Sequence, residues 1–384
     1  MELQNAVIVD GARSAFGRGG RGKLVATRLD EAGASVVRAL LERNPKVRAE
    51  MIEDIAMGNV GGAGELAGIG ADTVARLAGL PSEISAVDSN RQCGSSMETL
   101  HRIAQSIMVG ATECGIALGI ERMGRQLGGG GGARATTRIT EFNKRRLEQS
   151  ALQRNMAHNH FEDFSVPFQD EILDYSPVLS MTQTAQNVAE VYGLSREEMD
   201  AFSADSHRKA VAAYERGIYK DEIIPLEVEE PVFDAEGNWV ESEYGKKIIF
   251  DRDECIRPGT NMETLGALPA VKGIVSPTGS ELRITAGNAC PTNDGFTAAL
   301  IMSEKRAREL GLEPLARIKG FGIAGVKPQV MGLGPIPSTN KALRHAGITA
   351  DKIDRVEFNE AFAAQVIPSC RDLGIPLDRV NVNG

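Results

Sequence analysis

The segment NRQCGSSMETL, residues 90–100, places a cysteine where a predicted strand gives way to a predicted helix. Before it, ISAVDS (84–89) has the short apolar pattern of a strand, and after it METLHRIAQSIMVG (97–110) has helical spacing. Four apolar residues fall on one face of that helix: Met97, Leu100, Ile103 and Ile107. The segment therefore predicts a strand–turn–helix unit of an α/β fold.

Cys93 lies at or just before the first turn of this predicted helix. Unpaired backbone N–H groups and the helix dipole favour an anion there, so the thiolate form is favoured and the residue can act as a nucleophile. The competing interpretation is a small apolar residue that fills a turn, because free cysteines often serve packing alone. The local sequence leaves both interpretations open.

The composition excludes several classes of protein. The 384 residues are 42% hydrophobic and 25% charged with a formal charge of -9, which is typical of a soluble globular protein and argues against nucleic acid as a main partner. The five cysteines have neither CxxC nor Cys/His spacing, which argues against a zinc site and a disulfide framework. No apolar run approaches the roughly 18 residues of a membrane-spanning helix, and a predicted strand at 6–9 leaves no signal peptide before it. We expect a cytoplasmic protein.

The first part of the chain alternates strands and helices. The predicted strands are AVIV (6–9), IEDIAMGNV (52–60), ISAVDS (84–89) and CGIALGIERM (114–123), and the predicted helices are 29–44, 73–80 and 97–110. This alternation predicts a layered α/β domain around a central sheet.

The character of the sequence changes after Met123. Five consecutive glycines (128–132) have no Gly-Lys-Ser/Thr after them, so a flexible connection is favoured over a phosphate-binding loop. The polar chain that follows, to about residue 285, predicts helices and irregular loops of an inserted lid. Within it, Ser195 and Glu198 have the capping-box spacing that begins a helix over 195–217.

The last part of the chain repeats the first. LARIKGFGIAG (315–325) predicts a strand as the N-terminal segment does, residues 338–363 repeat the helix–turn–strand order of 28–60, and LDRVNVNG (377–384) corresponds to ISAVDSN. An internal duplication is predicted, although a generic α/β pattern would look similar. The predicted domains are an N-terminal α/β domain over 1–123 completed by about 288–309, an inserted loop or lid domain over 124–287, and an incomplete C-terminal α/β domain over 310–384.

Four motifs together resemble the thiolases, in family order and over essentially the whole chain: NRQCGSSMETLHRIAQSIMVGA, TAGNACPTNDGFTAALIMSE, MGLGPIPSTNKAL and NEAFAAQ. The degradative 3-ketoacyl-CoA thiolases, acetyl-CoA acyltransferases of fatty-acid β-oxidation, are most similar. The resemblance implies an α/β fold with duplicated βαβ domains in a layered α-β-α-β-α arrangement and an inserted loop (lid) domain. It also implies thiolytic cleavage of a 3-ketoacyl-CoA by CoA, or the reverse Claisen condensation, through an acyl-cysteine.

The resemblance assigns roles to particular residues. Cys93 matches the nucleophile that becomes an acyl thioester, and Asn359 of NEAFA matches the residue that holds a water in an oxyanion hole. Cys290 and Met181 are implied to contact substrate or CoA, although packing is an equally good interpretation of Cys290. No metal and no cofactor is implied, because CoA is a substrate.

Several other residues receive ordinary interpretations. Arg208 and Lys209 are candidates for CoA phosphates, but a solvated helix face is the default. Cys370 is expected to pack. The histidines show neither triad nor metal spacing: 101, 158, 160, 207 and 345.

Thiolases continue after NVNG with a Gly-His-Pro segment and then a Cys-x-Gly segment. The resemblance therefore implies that a chain ending at Gly384 lacks an activating histidine and a second, acid–base cysteine. We expect a protein of only these residues to show little turnover and low stability.

Alternative functions are an acetoacetyl-CoA-specific acetyl-CoA acetyltransferase, a truncated non-catalytic CoA-binding homologue and, disfavoured by the motif order, an unrelated cysteine hydrolase. The expected partners are CoA and acyl-CoA thioesters, within a homodimer or homotetramer. A hydratase–dehydrogenase partner is compatible with the family, although nothing in the chain supports it.

Overall fold

The computed structural model describes residues 3–62, 64–123, 180–276 and 278–384. These residues form two compact units, of which the first contains 3–123, 218–255 and 291–318, and the second contains 180–217, 256–290 and 319–384. The glycine run, the helical segment predicted directly after it, His158 and His160 lie outside the described residues. None of the helices that the structure describes has the length and hydropathy needed to span a bilayer.

The elements are numbered along the chain. The strands are β1 (Ala6–Arg13), β2 (Gly17–Arg18), β3 (Asp54–Gly58), β4 (Ser85–Ser89), β5 (Cys114–Arg122), β6 (Leu226–Phe233), β7 (Trp239–Phe250), β8 (Asn293–Ser303) and β9 (Ala316–Arg317). The helices are α1 (Leu29–Arg43), α2 (Gly70–Leu77), α3 (Ser95–Met108), α4 (Met181–Val191), α5 (Arg196–Glu215), α6 (Met262–Gly266), α7 (Glu304–Glu309), α8 (Pro335–Ala346) and α9 (Ala363–Leu373). The elements predicted between residues 6 and 123 are all present.

The first unit is built on one mixed sheet with the strand order β4-β3-β5-β8-β1-β9, and β2 pairs with β8. β3 runs parallel to β4 and β5, whereas β8 runs antiparallel to β5 and β1. β8 comes from residues 293–303 and lies between two strands of the first 123 residues. The N-terminal sheet is therefore completed by a central strand that is distant in sequence.

Helices cover both faces of this sheet. Side chains alternate between the faces of a strand, so Gly119 and Ile120 point in opposite directions. A Cβ added to Gly119 would lie 2.7 Å from Ser96 of α3, whereas a Cβ added to Gly33 of α1 would lie 2.4 Å from Ile120. The first unit thus has the layered helix–sheet–helix arrangement that the alternating pattern predicts.

A two-stranded hairpin, β6–β7, lies in the region that the sequence predicts to be helical and irregular. That prediction is wrong for residues 226–250. Most of β7 is exposed on both faces, so its sequence lacks the alternation of polar and apolar residues that identifies a strand. The hairpin is anchored to β1, because the Ile224 amide donates to the Arg13 carbonyl at 2.7 Å and the Arg13 amide donates to Glu222 at 2.9 Å.

The second unit packs helices around apolar clusters. The larger cluster includes Ala185, Ala189, Leu194, Met199, Ile274, Ile284, Phe362, Ala364 and Ile367. The Ser195 hydroxyl caps α5 by accepting a hydrogen bond from the Glu198 amide at 3.0 Å, which confirms the predicted helix start. The Glu198 carboxylate binds Arg371 at 2.6 Å rather than completing a capping box.

The strands predicted in the last part of the chain are largely wrong. Only Ala316–Arg317 of the 315–325 segment forms a strand, against β1, and Val356 and Val380 make a single parallel bridge. An extended segment becomes a strand only where a neighbour completes its ladder of hydrogen bonds. Here β9 pairs with β1 at two residues, and Val356 pairs with Val380 at one.

The order of elements nevertheless repeats. In the first unit, α1 is followed by a 3₁₀ turn at Ala49–Met51 and then by β3; in the second, α8 is followed by a 3₁₀ turn at Ala350–Lys352 and then by Val356. The residues that end the two turns both have φ of -81°, with ψ of 116° and 118°. This repetition supports the predicted duplication.

Candidate active site

Cys93 lies in the turn between β4 and α3, and its side chain is exposed. The preceding residue, Gln92, has φ of 49°, in the left-handed region that residues other than glycine rarely adopt. Gly94 is the N-cap residue and α3 begins at Ser95. The turn therefore presents the thiol directly before the N-terminus of the helix, where the dipole favours negative charge.

Side chains from both ends of the turn hold this strained conformation. The Ser95 hydroxyl accepts from the Arg91 amide at 2.9 Å and donates to the Gln92 carbonyl at 2.6 Å. The Asn90 carboxamide accepts from the Gln92 amide at 2.9 Å and donates to the Val60 carbonyl at 3.1 Å. A non-glycine residue in this region costs about 1–3 kcal/mol, and these bonds offset that cost.

Two glycines allow the helix to begin directly against the sheet. A Cβ on Gly58, at the end of β3, would lie 2.4 Å from the backbone carbon of Ser95, and one on Gly119 would lie 2.7 Å from Ser96. The motif-based prediction missed both glycines. The sequence feature that could have identified them is a glycine inside an apolar strand, because such a glycine often marks a close approach of another backbone segment.

The cation next to the turn is already paired. The Arg91 guanidinium donates to the Glu98 carboxylate at 2.7 Å, and this hydrogen bond raises the pKa of Arg91. Farther along α3, Met97 is 61% exposed, whereas Ile103 and Ile107 are fully buried. Met97 and Leu100, the members of the predicted apolar face that are not buried, line a cavity of about 540 Å³.

Asn359 lies in the loop between the Val356 bridge and α9, and its side chain is exposed. The residues on either side of it are bound by Asn381, whose carboxamide accepts from the Phe358 amide at 2.7 Å and donates to the Glu360 carboxylate at 2.6 Å. The other Glu360 oxygen accepts from the Ser206 hydroxyl of α5 at 2.7 Å. Asn359 is thus presented by a loop that is fixed from two directions.

The TAGNAC and NEAFA motifs lie side by side in the second unit. The Cys290 amide donates to the Ala361 carbonyl at 2.9 Å, and Ala289 pairs with Phe362 in an antiparallel bridge. Cys290 has an exposed side chain. The structure therefore brings two predicted site residues, Cys290 and Asn359, onto adjacent segments.

Met181 is the first residue of α4 and is 45% exposed. The helix start is fixed by Ser180, whose hydroxyl accepts from the Gln183 amide at 3.2 Å. Gln183 is buried and donates to the Val275 carbonyl at 2.8 Å, which ties α4 to the loop after α6. The apolar side chain of Met181 is thus available at a fixed position.

Two family models match this chain: the thiolase N-terminal domain over residues 6–305 and the thiolase C-terminal domain over residues 312–384. The chain belongs to the thiolase family. A 3-ketoacyl-CoA thiolase of Vibrio vulnificus is 38% identical over 386 residues, which cover 100% of this chain and 87% of that relative. A 3-ketoacyl-CoA thiolase of Shigella sonnei is 35% identical with the same coverage.

A solved structure supports the same assignment. The Bacillus anthracis acetyl-CoA acetyltransferase matches with a TM-score of 0.79 at 29% sequence identity, covering 100% of this chain and 86% of that one. The family resemblance and the thiolase-like α/β fold predicted from the sequence are confirmed. The predicted enzyme class, an acyltransferase, is confirmed as well.

Other titratable residues of this thiolase are engaged in local contacts. Lys209 forms an ion pair with Asp205 at 3.0 Å and donates to the Val380 carbonyl at 3.1 Å, whereas Arg208 is exposed and pairs with the same Asp205. His207 accepts from the Arg257 amide at 3.3 Å, and burial lowers its pKa. These contacts favour the ordinary interpretation of all three residues.

Cys370 packs inside the second unit of this thiolase. It is 1% exposed within an apolar cluster, and burial raises the pKa of its thiol to about 11. Across the described parts of the thiolase, no group of three or more His, Cys, Asp or Glu side chains has the arrangement of a metal site.

Proposed function

We propose that this thiolase cleaves 3-ketoacyl-CoA with free CoA, giving acetyl-CoA and a shortened acyl-CoA, with Cys93 as the nucleophile. The observation that carries this proposal is the exposed Cys93 thiol, held on a strained turn directly before the N-terminus of α3. The names of the V. vulnificus and S. sonnei relatives supply the substrate class.

The reaction has two steps. The Cys93 thiolate attacks the 3-keto carbon, the bond between C2 and C3 breaks, and the acetyl-CoA enolate takes a proton at C2. The acyl group is left as a thioester on Cys93. The thiol of a second CoA then gives up its proton, which balances the proton taken up at C2, and its sulfur attacks that thioester carbonyl, which releases acyl-CoA and restores the Cys93 thiolate.

Both steps place negative charge on an oxygen and therefore need hydrogen-bond donors. We assign the Cys93 backbone N–H to one oxyanion hole and a water held by Asn359 to another. A preorganised donor of this kind contributes about 10²–10³-fold in rate. The rigid turn around Cys93 and the fixed loop around Asn359 support these roles, because such donors must not move during the reaction.

Cys290 and Met181 are proposed to contact the acyl-CoA substrate. Their side chains are exposed on backbone that is held by hydrogen bonds, which suits residues that line a binding surface. We propose further that the domains have the boundaries predicted from the sequence and that the protein is located in the cytoplasm. We also propose that it forms a homodimer or homotetramer, and light scattering of the purified protein tests this oligomeric state.

The decisive experiment is intact-protein mass spectrometry before and after incubation with excess acetyl-CoA. We expect a gain of one acetyl group that free CoA removes, and we expect Cys93→Ala to abolish it. Cys290→Ala, which removes the other exposed thiol, is the matched control and should keep the label. A label that survives in Cys93→Ala would contradict the assignment of the nucleophile.

Thiolysis assays across chain lengths separate the alternatives. The proposed function predicts that long 3-ketoacyl-CoA thioesters are consumed together with acetoacetyl-CoA. An acetoacetyl-CoA-specific acetyltransferase, the class of the B. anthracis neighbour, would consume only the shortest substrate. A non-catalytic homologue would bind CoA without forming any acyl-enzyme.

A further inference from the structure

Asn381 has an unusual conformation for a buried residue. Its φ is 44°, and only 5% of it is exposed. Apart from Gln92, every other described residue with positive φ is a glycine. Asparagine tolerates this region better than most residues, but the conformation persists only where surrounding contacts impose it.

The backbone of Asn381 is fixed by its neighbour across the parallel bridge. Its amide donates to the Val356 carbonyl at 2.9 Å, and the Val356 amide donates to the Arg379 carbonyl at 3.0 Å. Residues 379–381 therefore have a defined position relative to Val356, three residues before Asn359.

The side chain of Asn381 binds both neighbours of Asn359. Its Oδ1 accepts from the Phe358 amide at 2.7 Å, and its Nδ2 donates to the Phe358 carbonyl at 2.9 Å. Nδ2 also donates to the Glu360 carboxylate at 2.6 Å. One carboxamide thus fixes the residue before Asn359 through the backbone and the residue after it through the side chain.

Asparagine fits these contacts because its side chain offers both a hydrogen-bond acceptor and a donor. Aspartate would supply the acceptor for Phe358 but would lose both donated bonds and place a second negative charge against Glu360. Leucine would supply neither donor nor acceptor. Glycine would keep the left-handed backbone without strain and would lose only the side-chain bonds.

We propose that Asn381 is a positioning residue for the reaction of this thiolase: by clamping Phe358 and Glu360, it sets the direction in which the Asn359 carboxamide is presented. This inference rests on the proposed function, in which Asn359 holds an oxyanion-hole water. Because Asn381 is buried and its carboxamide is engaged by Phe358 and Glu360, we assign it no direct contact with the substrate.

The test is a double-mutant cycle in thiolysis kinetics, measured in the full-length protein, which must carry the activating histidine and the second cysteine, with the variants Asn381→Gly, Asn359→Ala and the combination of both. If Asn381 acts only through Asn359, its effect disappears once Asn359 is removed. We expect Asn381→Gly to lower kcat by about 10–100-fold with less than about a two-fold change in KM, since a transition-state interaction is lost. The double variant should be no slower than Asn359→Ala alone.

Asn383→Ala is the matched control. Asn383 lies two residues farther along the same segment, and its side chain accepts a hydrogen bond from Arg216 at 3.0 Å. We expect it to leave kcat unchanged. Circular dichroism and thermal unfolding of each variant separate loss of fold from loss of rate.

The outcomes distinguish the inference from the proposed function. Additive losses in the cycle, or an unchanged kcat in a folded Asn381→Gly variant, would overturn the positioning role while thiolysis through Cys93 stands. If Asn381→Gly does not fold, Asn381→Asp gives the same cycle with the acceptor retained. A wild-type protein that forms no acyl-Cys93 would overturn both.

Discussion

The Cys93 turn and the Asn359 loop both hold the backbone next to an exposed polar side chain, but they do so with different sets of contacts. Each presents an exposed polar side chain next to backbone held in place through a left-handed residue that is not glycine, Gln92 in the first and Asn381 in the second. In the Cys93 turn, most of the stabilising bonds come from residues within four positions. In the Asn359 loop, they come from Asn381 and from Ser206, which is 154 positions away from its partner Glu360.

This difference indicates which substitutions should disturb each region. The Cys93 turn is held mostly by hydrogen bonds among its own residues, and from outside it needs the Val60 carbonyl and a sheet surface that lets the helix approach closely. The Asn359 loop has no such local set of contacts and depends on two other segments being in place. Substitutions in the two regions should therefore have different effects on stability and on rate.

The largest effect is expected where the sheet supports the Cys93 turn. In Gly58→Ala, the new Cβ would lie 2.4 Å from the Ser95 backbone carbon, and overpacking of this kind costs about 3 kcal/mol. Urea unfolding should show that loss in the free energy of unfolding. The control is Gly11→Ala in β1, whose Cβ would meet its nearest atom at 3.9 Å; equal losses in both variants would mean that the close approach is not the cause.

A smaller effect is expected inside the turn itself. Ser95→Ala removes the acceptor of the Arg91 amide and the donor to the Gln92 carbonyl, and an unsatisfied group of this kind costs about 2 kcal/mol. We also expect about a ten-fold slower acylation of Cys93, because the thiol is no longer held in position. Ser96→Ala, the exposed next residue, should change neither the unfolding free energy nor the acylation rate.

Each unit also contains a buried thiol that should make the free energy of unfolding depend on pH. Burial raises the pKa of Cys114 from 9.0 to about 12 in the first unit, and that of Cys370 to about 11 in the second. The unfolded chain loses these protons first, so the stabilisation is complete below pH 9.0 and is lost as pH rises above it. Each thiol should lower the unfolding free energy by about 1.4 kcal/mol per pH unit in that window.

Cys114→Val and Cys370→Val are the variants that check this pH dependence. Urea unfolding from pH 8 upwards should show a shallower decline in each variant than in the wild-type protein. An unchanged slope would mean that other groups dominate.

The smallest effect is expected at the distant contact of the Asn359 loop. Ser206→Ala removes one hydrogen bond to Glu360 and should cost about 1 kcal/mol, because Asn381 still binds both sides of Asn359. Thiolysis should fall by less than it does in Asn381→Gly. If Ser206→Ala were the slower of the two, the loop would be positioned from α5 and not from Asn381.

The sequence alone determined the local elements of this protein. Helical spacing predicted α1, α2 and α3, short apolar runs predicted β3, β4 and β5, and Ser195 marked the start of α5, because these patterns depend on neighbours within a few residues. The four motifs identified the family, and their order was sufficient for the fold and the enzyme class.

Only the tertiary structure decided which distant segments meet. It placed β8 inside the N-terminal sheet, paired β6 with β7, set TAGNAC beside NEAFA, and reduced the predicted strands near Val356 and Val380 to one bridge. It also showed why Gly58 must be small and why Asn381 is left-handed. The physical reason is that a strand, a close backbone approach or a clamp exists only when its partner is present, and the identity of that partner is not encoded in the local sequence.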